Sequence, residues 1–139
     1  MRKMKTRRFI LVLMALATLA LAACAPTEAA SGEIYIEDVQ ILILESFPVQ
    51  VRAVVSGNLP DGCTEIRAVR VSRGTDPQTF NVEFETERDP NAMCTQALVP
   101  FEESVALEVE GLEAGTYTVD VHGETATFTL DVDNVAPEG

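Results

Sequence analysis

From Val49 to Val132 apolar side chains recur at alternate positions in short runs, and this period of two constrains the fold more than any other feature of the chain. Val49, Val51, Ala53 and Val55 form one run, and Phe80, Val82 and Phe84 alternate with Asn81, Glu83, Glu85 and Glu87 in another. Val105, Leu107 and Val109 follow, then Tyr117, Val119 and Val121, then Ala126, Phe128, Leu130 and Val132. Successive side chains of a strand point to opposite faces, so each run describes a strand with one face in a core. Turn-forming clusters separate the runs: Gly57 to Gly62, Gly74 to Pro77, Gly111 to Gly115 and His122 to Glu124. Two further runs are less regular. Ile34 and Ile36 fall out of phase with Val39, Ile41 and Ile43, which predicts a bulge near Glu37 and Asp38. In Glu65 to Ser72, Ile66 and Ala68 alternate against Val69 and Val71. About seven strands in about 100 residues, with no helical periodicity, predict an all-β sandwich.

The segment Gly111-Leu112-Glu113-Ala114-Gly115-Thr116-Tyr117-Thr118-Val119-Asp120-Val121 resembles the E–F corner and F strand of immunoglobulin-like and fibronectin-type-III-like domains. There a leucine and a glycine precede the tyrosine of a tyrosine corner. The resemblance implies an immunoglobulin-like antiparallel β-sandwich of about seven strands. The chain departs from antibody domains in having no tryptophan, and Cys63 and Cys94 fall in expected loops, not on facing strands.

Ahead of this domain, Arg2, Lys3, Lys5, Arg7 and Arg8 precede an apolar run from Phe9 to Ala23, the pattern of a signal peptide. Leu21-Ala22-Ala23-Cys24 resembles the lipobox of bacterial lipoproteins, which implies cleavage before Cys24 and acylation of its thiol. Small bacterial lipoproteins with such a domain are similar along the whole chain and imply no activity. Two other readings are a single transmembrane anchor, for which the run is barely long enough, and ordinary secretion with cleavage near Ala23. The expected layout is a signal peptide over 1–23, a tether over 24–32, the sandwich over 33–132 and a flexible tail over 133–139. Residues 25–32 extend at most about 27 Å. The expected location is extracytoplasmic, on the bacterial cell membrane or outer membrane.

Removal of the signal peptide leaves five basic against 22 acidic residues, a net charge of −17, and no lysine. Such a field repels phosphate backbones and excludes nucleic acid as a partner. It also disfavours adsorption flat onto an anionic membrane. With Cys24 acylated, Cys63 and Cys94 remain as an even pair in an oxidising compartment, where a disulfide is expected.

The chain is poor in catalytic groups: His122 is its one histidine, it contains no G-x-S-x-G or S-x-x-K, and Glu83, Glu85 and Glu87 lie along one solvated strand face. An enzyme is not expected, nor is a cofactor. Asp131, Asp133 and Asn134 are the nearest approach to a calcium motif, without the remaining ligands such a loop needs. The expected function is a membrane-anchored, non-catalytic interaction module, monomeric, with an envelope or extracellular protein or polymer as partner. The alternatives are an inhibitor of an envelope or extracellular hydrolase and a passive structural lipoprotein. The candidate binding element is the connection from Arg88 to Pro100, with Asn91, Met93, Gln96 and Leu98, beside the turn Asn58 to Cys63 and the His122–Glu124 reversal. Its apolar content has two readings: Leu98 and Val99 plug the end of the sandwich, or they face outward to be recognised.

Overall fold

The structure, a computed structural model, describes residues 33–136. Cys24 and the segment expected to be signal peptide and tether lie outside the described residues. Seven strands run in order: β1 (Tyr35–Leu44), β2 (Gln50–Leu59), β3 (Thr64–Arg73), β4 (Thr79–Arg88), β5 (Val99–Leu107), β6 (Gly115–Val121) and β7 (Glu124–Leu130). They form the expected β-sandwich, with β1-β2-β5 in one sheet and β3-β4-β6-β7 in the other. Neighbouring strands run antiparallel except β4 and β6, which pair in parallel from Thr79↔Thr118 to Val82↔Val121. The chain reaches β6 from β4 by crossing through β5 of the opposite sheet, a route that alternation within single strands does not encode.

The inward sets of the two sheets meet in one core. Val51, Ala53 and Val55 of β2 face Phe80, Val82 and Phe84 of β4 and Val119 and Val121 of β6, all buried. Phe80 packs against Tyr117 and Phe128, with ring centroids at 6.2 and 6.0 Å, while those two rings stack on each other at 5.4 Å, spacings typical of favourable aromatic pairs. Both irregular runs contain register shifts, between Ile36 and Asp38 in β1 and between Ile66 and Ala68 in β3. The extra residue reverses the phase, so Ile36 and Val39 on one strand, and Ile66 and Val69 on the other, both pack on the core. Gly57 lies beside the β1 bulge, where an added Cβ would fall 2.9 Å from the Phe101 ring and against the Tyr35 carbonyl. Only glycine lets β1, β2 and β5 close there.

Tyr117 makes the tyrosine corner, donating its hydroxyl to the Glu113 carbonyl at 2.8 Å. The tail expected from residue 133 is instead docked through Asn134, whose side chain is buried and fully bonded. Asn134 Oδ1 accepts from Val49 N at 2.6 Å, and Nδ2 donates to the carbonyls of Val49 at 2.9 Å and Val109 at 3.0 Å. Its backbone exchanges hydrogen bonds with Leu112 and Gly111. Asp133 Oδ1 accepts from Ala114 N, so two residues of the calcium-like motif, Asp133 and Asn134, turn a side-chain oxygen to a backbone donor. The strand β5 also begins earlier than expected. Its register places Glu103 opposite buried Val55, and this acid in an inward phase hides the alternation. A charge on the inward phase of an edge strand discourages pairing with another chain.

Candidate functional site

One end of the sandwich is built from the end of β2, the start of β3, the end of β4 and the start of β5. The β2–β3 turn and the connection of residues 89–98 meet there and are joined by a disulfide between Cys63 and Cys94, whose Cα atoms lie 5.4 Å apart. A backbone bond from Gly62 N to Thr95 O runs beside it. An ion pair lies beneath. Asp61 Oδ2 accepts from Arg88 Nε at 2.7 Å, and Oδ1 accepts from Cys63 N and from the Thr64 hydroxyl. The Arg88 hydrogen bond above all, helped by Cys63 N and Thr64 and opposed by burial, holds the Asp61 carboxyl at about 2, below its usual 3.8. The Arg88 guanidinium also reaches to 3.7 Å from Cys94 Sγ. This pair could not be recognised from spacing alone, because Asp61 and Arg88 are 27 residues apart. The Asp-Gly sequence marked only the turn, which the Asp61–Cys63 bond closes.

The candidate residues Asn91, Met93, Gln96 and Leu98 all stand on this connection and all are exposed. Met93 is fully so, Leu98 is 59% and Val99 36% exposed, so Leu98 and Val99 do not plug the sandwich; Phe101 does, its ring 5.7 Å from that of Phe84. The loop is held at its foot, by Cys94, by Ala92 N bonded to Asp89 O and by Asn91 N on the Asp89 carboxylate. The His122 turn, expected in the same cluster, is set back from it. Val121 pairs with Val82, and His122 Nε2 accepts from Phe84 N at 3.0 Å, so β4 runs on for about 13 Å beyond the turn before the disulfide end is reached. That bond fixes Nε2 as an acceptor and gives His122 a structural task on the edge of β4.

Among the described residues the remaining polar groups offer no converging set. Glu85 pairs with Arg70 at 2.9 Å and Glu87 with Arg67 at 3.8 Å across the β3–β4 ribbon, where an open cleft of 640 Å³ lies beside Arg67 and Arg88. At the opposite end a cleft of 570 Å³ opens between the β3–β4 turn and the tyrosine corner. There the Arg73 guanidinium is already stacked on Phe80 at 3.9 Å and bonded to the Pro77 carbonyl. Among the described residues no three His, Cys, Asp or Glu side chains are grouped to hold a metal ion.

Fold and site together define a small β-sandwich with one disulfide-tied loop end. The chain belongs to the ORF11 beta-sandwich domain family, whose model matches residues 53–130. It is similar to an "uncharacterized 10.2 kDa protein in HgiCIIM 5'region" of Herpetosiphon aurantiacus, 39% identical over 96 residues that cover 68% of this chain and 98% of that relative. A second protein of that organism, described as lying in the HgiBIM 5'region, is 35% identical over 86 residues, 61% of this chain and all of the relative. No solved structure matches the chain significantly.

Proposed function

We propose that the protein is an extracytoplasmic lipoprotein, held on a bacterial membrane through acylated Cys24, whose sandwich acts as a non-catalytic interaction module through its disulfide-tied end. The observation that supports this surface is the contrast between loop and domain. Residues 90–101 contain no charged side chain, although the chain from Cys24 onward carries 22 acids. The loop nevertheless exposes Met93 and Leu98 on a covalently fixed base. Exposed apolar groups on loops positioned by a rigid scaffold are a recurrent form of recognition surface. The pairing of Asp61 with Arg88 cancels two charges beneath the loop and leaves Asp89 as the charge at its foot.

A photoreactive residue at Gln96, compared with one at Glu83 on the β4 outer face, tests the assignment in intact cells. Adducts with an envelope component are expected from position 96 and none from 83. A hydrolase captured at 96 supports the inhibitor reading, adducts from 83 alone move the surface to the acidic face, and none from either supports a spacer.

A further inference from the structure

The geometry points to the bilayer itself as the occupant of this loop: residues 90–99 rest in the headgroup region of the membrane that carries the anchor, with Met93 and Leu98 entering uncharged or zwitterionic lipid. This rests on the lipoprotein reading above and names the partner of the same site. Tyr35, the first residue of β1, pairs with Asn58, and Asn58 pairs with Pro100, so the chain enters the sandwich level with the foot of the loop. Residues 25–32 span at most about 27 Å. The strands are ten residues long in β2, about 34 Å, so the opposite end stands that much farther from the anchor. The end held nearest the lipid is therefore the loop end.

Met93 is fully exposed and Leu98 is 59% exposed, with Val99 beside them, and no charged residue interrupts 90–101. Tyr35, 43% exposed on the same end, adds an aromatic ring with a polar tip, the residue type enriched at membrane interfaces. The acids beside it are Glu33, which accepts from the Tyr35 hydroxyl, Glu37, which accepts from the Asn58 side chain, Asp61, paired with Arg88, and Asp89, whose carboxylate accepts from Asn91 N; none lies within 90–101. A strongly anionic surface would repel the domain as a whole, with its net charge of −17 after Cys24, which selects uncharged or zwitterionic lipid as the favoured contact. Two exposed aliphatic side chains do not anchor a protein by themselves. Next to an acyl anchor they need only orient it, because the tether already holds the domain at the surface.

The chain has no tryptophan, so Met93→Trp and Thr75→Trp each introduce a single reporter, one on the loop and one on the β3–β4 turn at the far end. The acylated full chain is reconstituted in phosphatidylcholine vesicles with bromine-labelled acyl chains. Trp at 93 is expected to shift its emission to the blue and lose most of its intensity to the bromines, while Trp at 75 keeps the emission of an exposed side chain. Raising the phosphatidylglycerol fraction should weaken the quenching at 93. In the unsubstituted chain, amide exchange over 90–99 should slow on vesicles relative to the chain released by cleavage within the tether. A chain that does not float with the vesicles removes the lipoprotein reading and this inference with it. A chain that floats with position 93 unquenched, or with 75 quenched equally, removes this inference alone, as does quenching that rises with phosphatidylglycerol.

Discussion

Replacing Asn134 with alanine is expected to destabilise the domain by about 2–4 kcal/mol, although the residue lies beyond the last strand. The side chain is 1% exposed and closes three hydrogen bonds to Val49 N, Val49 O and Val109 O. Alanine takes the partner from the part-buried Val49 amide and carbonyl and removes one of the two donors on the Val109 carbonyl, which keeps Leu112 N at 3.3 Å; an orphaned buried group costs about 1–3 kcal/mol, less where water enters. The bonds also join the β1–β2 connection to the β5–β6 connection, so their loss frees two loops and the tail together. For a domain of this size the melting temperature should fall by about 10–20 °C. Val132→Ala, at a 59% exposed position two residues earlier, should change stability by less than about 0.5 kcal/mol. Thermal unfolding of the two variants decides between a docked tail and a dispensable one: equal melting temperatures would contradict the hydrogen-bonded account.

Removing the disulfide by replacing Cys63 and Cys94 together with alanine is expected to cost about 3–4 kcal/mol, the chain-entropy value for a closed loop of this length. The separation is 31 residues and the loop spans both strands of the β3–β4 ribbon, so the bond restricts much of the unfolded chain. The sandwich should still form, because the core of Val51, Val55, Phe80, Val82, Val119 and Val121 lies on strands whose pairing does not involve the bridge. Denaturant unfolding of oxidised and alanine-substituted protein measures the difference. Hydrogen exchange should show the added opening concentrated in 89–98, with residues 61–64 still held through Asp61, Arg88 and Thr64. Core amides of β6 and β7 that exchange by global unfolding should lose the same amount as denaturant unfolding reports; an equal loss there with no further opening in 89–98 would show that the bridge does not hold the loop.

Much of the architecture was legible in the alternation, because a sandwich with one wet face on each sheet writes its core at every second residue. The bulges in β1 and β3 show how far that reading extends. In β1 the phase reversal between Ile36 and Val39 was visible, since apolar residues flank it on both sides. In β3 it was blurred, since Ala68 and Val69 stand side by side and give the run apolar residues in both phases. The start of β5 was hidden by Glu103, and the parallel β4–β6 pairing by its dependence on contacts far apart in sequence. The site divides in the same way. Cys63 and Cys94 were found by parity and compartment, and the loop by its length and apolar content. Asp61, Arg88 and Asn134 were not, because a buried polar residue is defined by its partners and theirs are 27 and up to 85 positions away.

The proposed tether depends on Cys24 and on the lipobox-like Leu21-Ala22-Ala23 before it. Two acyl chains hold a protein on a bilayer where one binds only marginally, so the modification decides whether the loop end stays at a membrane or diffuses away. Mass spectrometry of the N-terminal peptide from protein isolated in its native bacterial membrane measures this directly. The predicted result is a peptide that begins at Cys24 and carries the mass of a diacylglyceryl group, with or without a third acyl chain, and that is absent in Cys24→Ser, whose chain is released or retained as precursor. A chain that begins at unmodified Cys24 or Ala25, or that keeps Met1, would contradict it.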